Sequence, residues 1–94
     1  MDEKIEELRR SGLIAVLELR TLGDTELDQL LRPHRIRQIE GIIDALTQCA
    51  ETSGAPTEWM DAAHSAVAEI RWALAQCLDH LARAARAAAG KMSA

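Results

Sequence analysis

From Met60 to Ala88 the apolar positions recur at alternating intervals of three and four: Met60, Ala63, Val67, Ile70, Leu74, Cys77, Leu81, Ala84 and Ala88. That period is the seam of a long helix packed against other helices. The same spacing runs through Ile36, Ile39, Ile43, Leu46 and Ala50. Between the two stretches, Thr52-Ser53-Gly54-Ala55-Pro56 is the strongest turn signal in the chain. The pattern predicts helices over 34–52 and 57–89, with Thr57 as a cap and Gly90 as the stop. A tight turn between them makes an antiparallel hairpin.

The N-terminal third is less regular. Residues 2–10 read as a helix, with Asp2, Glu3, Glu6 and Glu7 early and Arg9 and Arg10 late, an order that suits the helix dipole. Ser11-Gly12 marks a break. Ile5, Leu8, Gly12, Ala15, Leu19 and Leu22 nevertheless keep helical spacing across it, while Leu13, Ile14, Val16 and Leu17 make the next stretch apolar all round. Residues 13–22 are therefore open between a helix buried on several sides and a short strand. Gly23-Asp24 is a boundary, with Asp24 or Thr25 capping a short helix over 25–32. Pro33 is unfavourable inside a helix and favourable in a first turn, so a new helix or a kink belongs there.

The resulting fold class is all-α. The hairpin of 34–52 and 57–89, joined by N-terminal helices, forms a three- or four-helix bundle over a single domain spanning 1–94. At ~1.5 Å per residue the last helix is roughly 50 Å long and its hairpin partner roughly 30 Å. The distal third, beyond about Cys77, then lacks cover. Either residues 2–32 or a second subunit must supply it. Ala68, Ala75, Ala82 and Ala89 form a column beside the seam that permits close helix approach, and Trp72 sits on the opposite face. The residues expected to carry oligomer or partner contact are Val67, Ile70, Trp72, Leu74 and Leu81.

Composition narrows the function. Of 94 residues 48% are hydrophobic but only 2% aromatic, so the core is built from Leu, Ile, Val and Ala, which suit helix contact better than a ligand cavity. A net charge of −4 gives no general attraction for nucleic acid. No apolar run approaches the roughly 18 residues of a membrane span. The charged start Met1-Asp2-Glu3-Lys4 is not a signal peptide, and two cysteines without one read as free cytoplasmic thiols. In the hairpin, Cys49 and Cys77 lie roughly 25 Å apart, too far for a disulfide.

Three constellations merit chemical weighing. His34, Cys77 and His80 fall at one level of the hairpin, a nitrogen/sulfur set of the kind zinc or copper takes. Arg32, His34, Arg35 and Arg37 form the only dense basic cluster, at a helix start where cations are disfavoured, and Arg32, Arg35 and Arg37 are candidate phosphate contacts. For catalysis there is no Glu-x-x-His pair, no serine with evident His and Asp partners and no phosphate loop. The expectation is a non-enzymatic protein without a cofactor.

Arg35-Ile36-Arg37-Gln38-Ile39-Glu40-Gly41-Ile42-Ile43-Asp44-Ala45-Leu46 resembles the first-helix motif of the copper-sensing and formaldehyde-responsive repressors. Those are small all-helical proteins whose hairpins pair into dimers and tetramers and which bind operator DNA through basic residues. The resemblance implies that Arg35 and Arg37 occupy the family's basic positions. The family's cysteine falls here near Pro56 or Thr57, so that ligand is missing, and its downstream histidine aligns only with a shift. Arg9-Arg10-Ser11-Gly12-Leu13-Ile14-Ala15-Val16-Leu17 is similar to the opening of the barrel-type sugar-acid aldolases, a helix followed by a strand. The chain is too short for that barrel. The reading that unites these features is a helical homo-oligomer, a homodimer first of all, that acts as a regulatory protein by contacting another protein. The alternatives are a DNA-binding repressor of the small helical sensor type and a metal-binding helical module.

Overall fold

The computed structural model describes the backbone of residues 2–93 and the side chains of residues 3–90. Met1 and the Asp2 side chain, part of the acidic N-terminus noted above, lie outside the described residues and side chains. Among the described residues the chain forms three helices that all pack against one another: α1 (Asp2–Thr21), α2 (Glu26–Glu51) and α3 (Thr57–Ser93). No described residue lies in a strand, so 13–20 continue α1.

The directions follow from specific pairs. Arg9 meets Glu69 and Val16 meets Cys77, so α1 runs parallel to α3. Glu18 meets Arg35, so α2 runs antiparallel to α1. The buried seam collects Ile5, Ala15, Val16 and Leu19 from α1, Ile39, Ile43, Leu46, Cys49 and Ala50 from α2, and Ala63, Ala66, Val67, Ile70 and Cys77 from α3. Burying such apolar side chains is the main term holding helices of this length together.

Three expected breaks are absent. Gly12 lies within α1, where it is buried beside Ile70 and Ile42 rather than ending the helix. Of the two readings at Pro33, the new helix is the one overturned: Pro33 lies within α2, so the separate 25–32 and 34–52 helices are one. A proline inside a helix costs about 3 kcal/mol, and the turn before it is firmly tied. Thr25 caps α2 by accepting from the Asp28 amide at 3.1 Å, Asp28 accepts from the Gly23 amide at 2.9 Å, and Arg32 donates to the Gly23 carbonyl at 2.9 Å. Gly90 does not stop α3, which continues to Ser93. The α2–α3 turn is as expected: Gly54 takes a left-handed φ of 78°, which favours glycine, and the Ala55 amide donates to the Thr52 carbonyl.

With 37 residues α3 outruns its neighbours, and the molecule measures 59 × 20 × 16 Å. Parallel α1 covers more of α3 than the hairpin alone would. Cys77 is buried and Leu81 half-buried, but every residue from Ala82 to Gly90 is exposed. The uncovered part of the seam thus begins at Ala82 rather than at Cys77.

Candidate functional site

A groove of about 400 Å³ runs between α1 and α3. Leu13, Val16, Leu17 and Arg20 form one wall and Trp72, Ala73, Gln76 and Cys77 the other. Its floor is dry: Val16 is 6% exposed and Cys77 3%. Its rim is open, with Leu17 60% and Trp72 67% exposed beside the exposed Arg20 and Gln76. The groove exists because the apolar segment 13–17 turns only part of its circumference to the core. Ala15 and Val16 face inward, whereas Ile14 and Leu17 are left in water. Helical spacing marks Ala15 as inward, but it could not separate Val16 from Ile14 and Leu17, since the segment is apolar all round.

Beyond the groove a polar hollow is lined by Arg20, Gln76, Asp79, His80 and Arg83, with Arg83 paired to Asp79 at 3.1 Å. A broader surface dip near the start of α1 is lined by Glu3, Glu6, Glu7, Arg10 and Ser11, and Glu6 is held there by Arg9 and Arg10.

The expected assembly residues separate. Ile70 is fully buried and Val67 7% exposed, so both are consumed by the core of one chain rather than by a subunit contact. Leu74 and Leu81 are half-buried against the same core, and Trp72 alone among the five is open. The physical reason is the parallel course of α1, which fills the α3 seam from within.

The three metal candidates are not brought together. Cys77 turns inward, its thiol donating to the Val16 carbonyl at 3.9 Å, while His34 and His80 are exposed. Among the described residues no group of three or more His, Cys, Asp or Glu is placed to hold a metal ion. Burial pushes the Cys77 thiol above its ordinary pKa, partly offset by Arg20 and Arg32. Cys49 is likewise buried, and both cysteines are free thiols.

The basic cluster is largely used within the chain. Arg32 ties to the Gly23 carbonyl and lies 3.9 Å from Asp24, and Arg35 pairs with Glu18 at 3.2 Å and with Gln38. Arg37 is exposed and makes no ion pair among the described residues. Sequence reasoning missed the partners, Gly23 and Glu18, because they sit across the α1–α2 turn. It also missed the Arg9 fork on Glu69, with Nε at 2.8 Å and NH2 at 3.0 Å.

No protein-family model, curated protein or solved structure matches the chain. Among the described residues no helix is long and apolar enough to cross a membrane.

Proposed function

We propose that this chain is a small helical interaction protein that assembles with itself and acts by protein–protein contact. The observation that carries the reading is its surface. The accessible area is 6541 Å². A compact monomer of 10.3 kDa exposes roughly 5,350 Å². The excess, about 1,200 Å², exceeds the ~800 Å² each partner contributes to a standard interface. The exposed apolar side chains such a contact could use include Ile14, Leu17 and Trp72. A groove with an apolar floor, flanked by Arg20 and Gln76, suits a side chain of a partner helix better than a reaction.

The test is the mass in solution. Light scattering at micromolar concentration is expected to give twice the chain mass or more, and a strictly monomeric mass would remove the proposal. The repressor-like reading has less behind it, because Arg32 and Arg35 are engaged within the chain. It predicts salt-sensitive duplex binding that weakens on replacing Arg35 and Arg37, and absence of binding at low salt ends it.

A further inference from the structure

A second heptad runs along the outer face of α3: Trp72, Gln76, Asp79, Arg83, Arg86 and Gly90, spaced four, three, four, three and four. All six are exposed. The row is a palindrome in chemistry, centred at the level of Leu81. Its ends pair the bulkiest side chain with the smallest, Trp72 with Gly90. Its next positions pair an amide with a guanidinium, Gln76 with Arg86. Its centre pairs an acid with a base, Asp79 with Arg83.

The geometry points to a second copy of this chain, docked antiparallel on this face with the two-fold axis level with Leu81. In a two-fold interface, if residue i of one copy meets j of the other, then j meets i, so with the axis level with Leu81 each of these three complementary pairs forms twice. Trp72 of each copy would stand over Gly90 of the other. Asp79, which pairs with Arg83 of its own helix at 3.1 Å, would meet Arg83 of the other copy as well, and would do so twice across the axis. The exposed end of each α3 would lie along the α1–α3 groove of its partner, over Leu17.

Gly90 is the most telling member. It interrupts an alanine-rich helix that continues beyond it, an added Cβ would meet nothing within 4 Å, and glycine is a poor helix former. Within one chain it has no packing role, whereas opposite an indole it supplies the space that a side chain would fill. The row from Trp72 to Gly90 is about 27 Å long.

The inference rests on the homo-oligomer reading and sharpens it to one surface and one register. Charge exchange tests it. Asp79→Arg and Arg83→Asp each place like charges opposite twice, and each is expected to weaken dimerisation about tenfold or more. The double exchange restores it, with helicity by circular dichroism unchanged throughout. A chain carrying Trp72→Cys and Gly90→Cys together is expected to form a disulfide-linked dimer on mild oxidation, while neither single change does. The two positions are about 27 Å apart within one chain, so they cannot bridge internally. A wild-type dimer that ignores the charge exchange and does not cross-link overturns the register and leaves the oligomer reading standing. Dissociation by Leu27→Glu or Leu30→Glu, with no response to the exchange, places the interface on α2 and overturns the register equally. A chain monomeric at every concentration overturns both.

Discussion

A Cβ built on Gly12 would stand 2.5 Å from Cδ1 and 3.0 Å from Cγ1 of Ile70, and 3.3 Å from Cγ2 of Ile42. All three helices therefore meet at Gly12, and Ile70, fully buried, has little room to yield. Gly12→Ala is expected to destabilise the fold by about 1–3 kcal/mol through overpacking, despite alanine's better helix propensity. Ile70→Val removes the atom nearest the clash and alone costs about 0.5–1.5 kcal/mol. Urea melts of both single variants and the double variant check this pair. The double is expected to cost less than the two singles added together. Strict additivity would mean that the two residues do not press on each other.

Gly41 supplies the opposite sign from the same residue type. It is an exposed interior position of α2 where an added Cβ meets nothing within 4 Å. Gly41→Ala is expected to stabilise the chain by up to about 1 kcal/mol. A thermal melt that moves downward would show that this face of α2 is covered.

The Arg9 fork makes part of the stability pH-dependent. Hydrogen bonding from Arg9 holds the Glu69 carboxyl below its ordinary pKa of 4.5, and Glu69 in turn raises Arg9. A lowered folded-state value means the contribution is present above the unfolded-state pKa and lost as pH falls through the folded one. Thermal midpoints measured downward from about pH 5 are expected to fall more steeply for the native chain than for Glu69→Gln. Parallel slopes would show that the fork does not persist in solution.

Cys77 behaves in the opposite sense. Burial raises its thiol pKa, so its contribution is complete below the unfolded-state value and declines as pH rises through the folded one. Stability is therefore expected to drop with pH above about 8.5, and less so in Cys77→Ala. With both cysteines buried, a thiol reagent at neutral pH is expected to modify the native chain far more slowly than the urea-unfolded chain. Rapid native labelling of Cys77 would contradict its place on the groove floor.

Much of the fold is readable from local pattern. The seams Ile39–Ile43–Leu46–Ala50 and Ala63–Val67–Ile70–Cys77 are buried where the spacing predicts. The α2–α3 turn and the Thr25 cap are also where they should be. The misreadings cluster at residues whose propensity opposes their place. Gly12 and Pro33 signal breaks, yet α1 continues through the packed Gly12 and α2 through the exposed Pro33. The candidate sites were less legible. Arg35 reads as a free cation until Glu18 is seen beside it, and of Cys77 and His80, three apart, the first is buried and the second exposed.

The sequence by itself determined the hairpin of α2 and α3, its turn and most of its inward faces, because those depend on side-chain period and turn chemistry within a few residues. Only the tertiary structure decided that α1 runs parallel to α3 and fills its seam. It also decided that Gly12 is a point of closest approach, and that Trp72 and Leu17 rim a groove while α3 projects uncovered from Ala82. Those outcomes depend on which distant side chains compete for the same space, and that competition leaves no trace in the local period.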